Sequence, residues 1–181
     1  ENSQRLRSIA ITMAQVKLGD TVVNTNGTPP AVGSIAPEFT LTGNDLKDVT
    51  LSSFRGKNVI LNIFPSIDTS TCAASVRQFN KLAVTLPDTV VLCIAKDLPY
   101  AMKRFCGAEG ITNVITLSHF RSDAFAKDYG VLMVEGRMRG LFARVVIVVN
   151  PQGKISYEEV VPVIGQEPNY DAALKAIGFG G

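Results

Sequence analysis

A nearly uninterrupted apolar run at residues 57–64, followed by a proline and then a helical pattern, most constrains the fold of this chain. Such a run is typical of a strand that is covered on both faces of a sheet. Residues 72–86 then carry apolar side chains at three- and four-residue spacing: Val76, Phe79, Leu82, Ala83 and Leu86. The sequence therefore predicts a buried strand, a turn at Pro65 and an amphipathic helix that begins near Cys72.

Cys72 lies where this helix is expected to begin. Either Thr69 or Ser70 can supply the N-cap oxygen, and Pro87 is expected to stop the helix. A cysteine at a helix N-terminus faces unpaired backbone N–H groups and the positive end of the helix dipole, and both favour thiolate over thiol. The position indicates a reactive cysteine, with an inert core residue as the alternative.

Strand and helix patterns alternate along the rest of the chain. An N-terminal hairpin is predicted at residues 16–23 and further strands at 39–41, 49–51, 89–95, 114–117, 143–149 and 154–161. Further helices are predicted at residues 99–106, 123–129 and 170–177. This order predicts an α/β fold with a mixed central sheet and helices on both faces. In such folds the turn after a central strand is the expected place for chemistry.

Length and composition indicate one ordinary globular domain. The chain has 181 residues, 46% of them hydrophobic and 19% charged. Its net charge of +2 is too small to indicate nucleic acid or an anionic membrane surface as a partner, and no apolar stretch approaches the roughly 20 residues that span a bilayer.

The first residues look separate from the domain. Residues 1–12 have no strong pattern and end just before Met13, so we expect a cloning remnant or an upstream extension outside the fold, followed by a single domain at 13–181. They lack the apolar segment of a secretory signal, and we therefore expect a cytoplasmic location.

Three cysteines are too few, and oddly numbered, for a secreted disulfide framework. With one histidine, His119, and no Cys-x-x-Cys pair, a structural zinc site is not expected, and we expect no cofactor. Cys93 lies among aliphatic neighbours, where cysteine behaves as a small hydrophobe. From position alone, Cys106 is open between a structural and a functional role.

Several motifs resemble those of a known family. Pro65-x-x-x-Thr69-x-x-Cys72 is similar to the active-site motif of peroxiredoxins, and residues 33–41 resemble the opening segment of the same thioredoxin-like superfamily. Residues 62–69 together with 97–110 resemble, more narrowly, bacterial thiol peroxidases, which are atypical two-cysteine peroxiredoxins. The similarity runs from about residue 16 to residue 177. Two small departures are Ala95, where that family commonly has serine, and Tyr100, where it commonly has phenylalanine.

The resemblance implies a thioredoxin-like fold and a thiol-dependent peroxidase. It assigns attack on the peroxide to Cys72 and the resolving role to Cys106, through an intramolecular disulfide. It also matches Arg144 to the family's active-site arginine. The alternative for Arg144 is a solvated charge at a strand end, which is also the interpretation we give to Arg137 and Arg139.

The chemistry of peroxide cleavage suggests roles for two further residues of the motif. The Thr69 hydroxyl can hold a thiolate and orient the peroxide, and Pro65 can shape the turn and shield the sulfur from water. The resemblance further implies hydroperoxide substrates, alkyl or lipid hydroperoxides before hydrogen peroxide, thioredoxin as the reductant and a homodimer. Apolar Phe64, Ile67 and Tyr100 would suit such substrates.

Two other functions remain open. Cys72-x-x-Ser75 on a thioredoxin-like fold is also the pattern of a monothiol disulfide oxidoreductase, and the same disulfide could serve a redox sensor without turnover. If the two cysteines start on separate helices, the first turn of the Cys72 helix and the region of Cys106 must be locally labile.

Overall fold

The structure is built around the apolar strand that the sequence predicts at residues 57–64. A computed structural model describes residues 12–122 and 124–178. Within them, two strands form a separate hairpin and seven form the central sheet. In chain order the strands are β1 (Gln15–Leu18), β2 (Thr21–Asn24), β3 (Thr40–Thr42), β4 (Asp48–Thr50), β5 (Asn58–Ile63), β6 (Thr89–Ala95), β7 (Ile115–Ser118), β8 (Val145–Val149) and β9 (Ile155–Val160).

Helices connect and close this sheet. In chain order they are α1 (Ser70–Ala83), α2 (Pro99–Glu109), α3 (Ala124–Tyr129) and α4 (Tyr170–Ala176), with a 3₁₀ turn at Leu51–Phe54. Over residues 12–122 and 124–178, no helix has the length and apolar character needed to cross a bilayer.

The central sheet is mixed, as predicted. Its strand order is β4-β3-β7-β6-β5-β8-β9. β5, β6 and β7 run parallel, whereas β8 pairs antiparallel with β5. β1 and β2 form the predicted N-terminal hairpin. Because β5 and β6 point the same way, the turns that lead into α1 and α2 lie at the same edge of the sheet.

The two faces of the sheet bury different elements. Ile60 of β5 and Cys93 of β6 pack in one cluster with side chains of α1, α2 and α4. Their neighbours Leu61 and Ile94 point the other way, as the period of two in a strand requires, and pack with α3 and the N-terminal hairpin. Helices therefore cover both faces, and α1, α2 and α4 share one of them.

The bounds of α1 differ from the predicted 72–86. The helix begins at Ser70 because Thr69 is its N-cap. It ends at Ala83, before Pro87, because Thr85 forms a turn with Leu82. The Thr85 backbone N–H and hydroxyl both donate to the Leu82 carbonyl oxygen, at 2.9 and 2.7 Å. Cys72 is consequently the third residue of the helix instead of the first.

α2 runs three residues beyond the predicted end at Cys106. Gly110 takes the left-handed conformation (φ 65°), and its N–H bonds to the Cys106 carbonyl, which is how helices often end at glycine. Asp123, predicted to begin the third helix, and residues 1–11 of the predicted extension lie outside the described residues.

Candidate functional site

Cys72 is fully buried in the first turn of α1. Its backbone N–H donates to Thr69 Oγ1 at 3.3 Å, which assigns the N-cap that the sequence left open between Thr69 and Ser70. The Thr69 hydroxyl also lies 3.3 Å from the Ser66 carbonyl oxygen, to which it donates. The Thr69 hydroxyl therefore accepts a hydrogen bond from Cys72 and donates one to Ser66. One lone pair of its oxygen is left without a partner from these two bonds, next to the helical turn that carries the Cys72 sulfur.

Arg144 brings a buried positive charge to the sulfur. Its side chain is only 2% exposed, and Nη1 and Nη2 each lie 3.5 Å from Cys72 Sγ. Charged N–H donors that converge on one atom stabilise negative charge there. The alternative interpretation of Arg144 as a solvated strand-end charge is wrong, whereas Arg137 and Arg139 are exposed, as expected.

Residues 162–166, here called the strap, cover Arg144 and touch the start of α1. The Gly165 carbonyl accepts from Thr71 Oγ1 at 3.2 Å. Lys17 of β1 makes two backbone hydrogen bonds with the strap, of 2.8 and 3.0 Å. The N-terminal hairpin therefore supports the strap, and the strap supports Arg144.

Asp97, which follows β6, fixes the turn between β5 and α1. Its Oδ1 accepts from Ser66 Oγ at 2.8 Å, and its Oδ2 accepts from the Ile67 N–H at 2.9 Å. The Asp97 carbonyl in turn accepts from the Ser118 hydroxyl at the end of β7. The turn that begins at Pro65 is therefore held to two neighbouring strand ends.

A cavity of about 130 Å³ opens beside the guanidinium of Arg144. It is lined by side chains and backbone from four segments: Pro65, Thr69, Thr71, Met138, Arg144, Ile164 and Gly165. The structure thus brings Pro65, Thr69 and Arg144 together at one opening, next to Cys72.

The predicted apolar surroundings of this opening are wrong. Phe64 and Ile67 are buried in the core under α1, because they continue the inward side of β5 and its turn. Tyr100 is 67% exposed on α2 and does not line the cavity. Met138 and Ile164 supply the apolar lining instead.

The other two cysteines, Cys93 on β6 and Cys106 on α2, lie on the same side of the sheet as Cys72. Burial raises the pKa of Cys93 to about 12, and Asn62 Nδ2 donates to its sulfur at 3.7 Å. Cys106 on α2 is half-buried, and burial raises its pKa as well, partly offset by Thr116, whose Oγ1 lies 3.9 Å from the sulfur. All three cysteines are free thiols.

Cys72 and Cys106 occupy different levels of neighbouring helices. Cys72 is the third residue of α1 and Cys106 the eighth of α2, a difference of five positions or about 7 Å of rise. Packed helices are a further ~8–10 Å apart, whereas a disulfide needs Cα atoms within about 7 Å. We therefore expect a bond between these cysteines to need local opening of at least one helix.

Ser75 is committed to the structure of α1. Its buried hydroxyl donates to the Cys72 carbonyl at 2.8 Å and accepts from Asn62 Nδ2 at 3.2 Å. Both partners are within the protein, so the serine of the Cys72-x-x-Ser75 pattern stabilises the helix beneath the sulfur.

Comparison with known proteins shows the family of this chain. A family model described as Redoxin matches residues 31–174. The chain belongs to the Redoxin family. Thiol peroxidases of Mycobacterium tuberculosis and Mycobacterium bovis are 55% identical to it over 166 residues, which cover 92% of this chain and 99% of each relative.

Solved structures share this Redoxin fold. A peroxiredoxin-like protein from Aquifex aeolicus superposes with a TM-score of 0.86 at 34% identity, covering 92% of this chain and 97% of the other. Thiol peroxidase from Chromobacterium violaceum gives 0.83 at 24% identity, over 91% and 95% of the two chains, and its likeness concerns the fold. The fold is the thioredoxin-like one that the resemblance implied.

Several residues at the site of this Redoxin chain were not predicted from the sequence. Met138 lies between two arginines that are solvated, and Ile164 and Gly165 act through backbone carbonyls, so no side-chain pattern marks them. Asp97 had a signal, since an acidic residue two positions after a buried parallel strand points to the functional edge of the sheet.

His119 lies in a cluster of aromatic side chains. His119 packs against Phe142 and Phe125 with ring centroids 5.0 and 6.2 Å away. No group of three or more His, Cys, Asp or Glu side chains suited to a metal ion occurs within the described ranges.

Proposed function

We propose that this chain is a thiol-dependent peroxidase in which Cys72 attacks the peroxide and Cys106 resolves the product. The observation that carries the proposal is the approach of both terminal nitrogens of Arg144 to Cys72 Sγ at 3.5 Å. A thiolate is the nucleophile in such reactions, and the N-terminus of α1 and the buried guanidinium both stabilise it.

The first step breaks the O–O bond. The Cys72 thiolate attacks one peroxide oxygen, and the bonding electrons leave on the other oxygen, which takes up a proton and departs as an alcohol or water. The sulfur becomes a sulfenic acid. Arg144 faces both the sulfur and the cavity, so its N–H groups are placed to stabilise charge that moves from sulfur to oxygen, and the Thr69 lone pair is placed to orient the peroxide. Pro65 keeps water away from this opening, since it carries no N–H.

The second step forms the disulfide. The Cys106 sulfur attacks the sulfenic sulfur of Cys72, and water leaves with the hydroxyl oxygen. Two electrons from an external dithiol then restore both thiols by exchange. We propose thioredoxin as that dithiol, because an intramolecular disulfide is the form that a small dithiol protein reduces.

The substrate class follows from the cavity. Met138, Ile164 and Pro65 give it an apolar lining next to the charged group, which suits a hydroperoxide with an alkyl chain better than one without. We therefore propose alkyl or lipid hydroperoxides first and hydrogen peroxide second.

Two features disfavour a monothiol disulfide oxidoreductase. The Cys72 sulfur is fully buried beside the cavity, which does not suit exchange with the disulfide of a protein substrate. Ser75 is held by Cys72 and Asn62 instead of facing an exchange partner.

We further propose a homodimer and a cytoplasmic location, with residues 13–181 as the single working domain. Leu98, Tyr100 and Phe120 are exposed apolar side chains that follow the ends of neighbouring strands β6 and β7, and so form one edge that a second copy can cover. Three free thiols and a dithiol reductant suit a reducing compartment. Tyr100→Glu should shift the sedimentation coefficient from that of a dimer to that of a monomer. A variant that sediments like wild type, or a wild type that sediments as a monomer, contradicts this dimer face.

Peroxide consumption with a thioredoxin system tests the function. We compare wild type, Cys72→Ser, Cys106→Ser and Cys93→Ser, with peptide mapping of the disulfide. Turnover should vanish without Cys72, fall to about a single turnover without Cys106 and persist without Cys93. Rapid exchange with protein disulfides without peroxide turnover would favour the oxidoreductase, and a peroxide-formed disulfide that thioredoxin leaves intact would favour the redox sensor.

A further inference from the structure

One ion pair joins the two helices that carry Cys72 and Cys106. Arg77 of α1 binds Glu109 of α2 through two parallel hydrogen bonds, from Nε at 2.9 Å and from Nη2 at 2.8 Å. The Arg77 guanidinium also lies over the Phe105 ring, 5.7 Å from its centroid. Arg77, Phe105 and Glu109 are called the clamp below.

The clamp acts on the segment that bears Cys106. Phe105 precedes Cys106 directly, and Glu109 follows it by one helical turn. This part of α2 contains Gly107, which weakens a helix interior, and it ends at Gly110 in the left-handed conformation. The end of α2 therefore has little intrinsic helical stability, and the clamp is a tertiary contact that holds it.

The other side of the clamp is anchored. Arg77 lies at the eighth position of α1, five residues after Cys72. Further along α1, Asn80 accepts from the Asn113 N–H at 2.8 Å, which fixes the body of α1 to the segment after α2. Opening of the Cys106 segment therefore separates Glu109 and Phe105 from a stationary Arg77.

We propose that the clamp holds the Cys106 segment of α2 closed and thereby limits the rate at which Cys106 reaches oxidised Cys72. This inference rests on the proposed function, because it presumes the disulfide between these two cysteines. It makes Arg77 and Glu109 positioning residues that act on the second step and leave the first unaltered. Since slow resolution leaves the sulfenic acid exposed to a second peroxide, the clamp also sets how readily Cys72 is overoxidised to sulfinic acid.

Salt should act through the same pair. The Arg77 and Glu109 side chains are 48% and 35% exposed, and ions in solution screen an exposed pair. The Arg77 hydrogen bond lowers the pKa of Glu109, so the carboxylate stays charged throughout the neutral range. Ionic strength is therefore the variable that weakens the clamp at neutral pH.

Rapid mixing with one equivalent of peroxide tests the proposal. We compare wild type with Arg77→Gln, Glu109→Gln and the double variant, and follow peroxide loss and disulfide formation separately. Arg121→Gln is the matched control, because Arg121 makes an exposed ion pair with Asp48 at 3.0 Å outside α1 and α2. Thermal unfolding shows that each variant is folded at the assay temperature.

All three clamp variants should form the disulfide about two- to fivefold faster than wild type. This factor corresponds to the stabilisation that an exposed ion pair typically contributes. The double variant should match the single ones, and peroxide loss should keep its wild-type rate. At excess peroxide the variants should accumulate less sulfinic acid, measured by mass spectrometry. Added salt should accelerate disulfide formation in wild type and Arg121→Gln, and not in the clamp variants.

Equal or slower disulfide formation in the clamp variants overturns the clamp alone, provided that wild type forms the Cys72–Cys106 disulfide. If peptide mapping finds no such disulfide in wild type, the proposed resolving step falls and the clamp falls with it. The two failures are therefore distinguished by the same set of samples.

Discussion

Arg144 donates two hydrogen bonds to the backbone carbonyl oxygen of Ile164, from Nε at 3.1 Å and from Nη2 at 2.9 Å. The guanidinium is planar and rigid, so these bonds also fix the direction in which its terminal nitrogens face Cys72. The backbone of the strap, rather than a carboxylate, orients the cation at this site.

Arg144→Lys should lower kcat/KM for peroxide by roughly 10²- to 10³-fold, the usual loss when a preorganised donor to a developing charge is removed. A single ammonium cannot bind the Ile164 carbonyl and direct two donors at the sulfur together. Steady-state peroxide consumption checks this. Arg137→Lys, on the exposed neighbouring loop, is the control and should keep wild-type activity; a fully active Arg144→Lys contradicts the assigned role.

Thr69→Val should lower both stability and activity, whereas Thr69→Ser should keep most of both. Valine loses the N-cap of α1, worth about 1 kcal/mol, together with the lone pair placed to orient the peroxide. Urea unfolding and peroxide kinetics measure the two effects on the same samples. If valine and serine variants behaved alike in both measurements, the hydroxyl would have no part in either.

Asp97→Ala should reduce peroxide turnover although Asp97 does not line the cavity. The change removes the two acceptors that hold Ser66 and the Ile67 N–H, and so loosens the turn that positions Cys72. Asp68→Ala is the control: Asp68 is exposed, and its 3.8 Å contact with Arg104 is a loose surface pair. We expect a fall in kcat/KM for the Asp97 variant and none for the control; equal activity of the two would show that the turn holds without Asp97.

Cys93 should resist alkylation in the native protein at neutral pH and react only as the pH approaches its pKa of about 12 or as the protein unfolds. Its raised pKa means that the neutral thiol persists where an exposed cysteine, with a pKa of about 8.5, already ionises. Iodoacetamide labelling with peptide mapping, at neutral and alkaline pH with and without urea, measures this. Rapid labelling of native Cys93 at neutral pH would contradict its burial.

The sequence predicts the parts of this site that depend on local structure. The pattern of residues 57–86 places Thr69 and Cys72 at the start of one helix, although it left the N-cap open between Thr69 and Ser70 and began the helix two residues late. The chain order of strands and helices similarly predicts that the turns into α1 and α2 share an edge. Local lability at α1 and α2 stays a prediction, for which hydrogen exchange in both redox states is the measurement.

Features that depend on distant segments were not predictable from local pattern. A lone arginine before a strand is usually solvated, and the burial of Arg144 arises from a strap twenty residues later that β1 holds in place. The inward direction of Phe64 and Ile67 likewise depends on how the turn after β5 is anchored by Asp97. The sequence motif marks the residues that we propose to react, and long-range backbone contacts decide what surrounds them.

The burial of Arg144 has a consequence for the energy of each redox state. Among the described residues no carboxylate lies within ion-pair distance of its guanidinium, and the Cys72 sulfur, 3.5 Å from Nη1 and Nη2, is the group placed to balance its charge. Under the proposed function, oxidation of a Cys72 thiolate removes that negative charge and leaves the buried guanidinium without an opposite charge, which costs free energy. We therefore expect the closed arrangement to be more stable in the reduced protein than in the oxidised one. When the Cys72 thiolate reacts with peroxide, its negative charge is lost and the closed arrangement becomes less favourable. On this proposal the reaction itself favours the opening of α1.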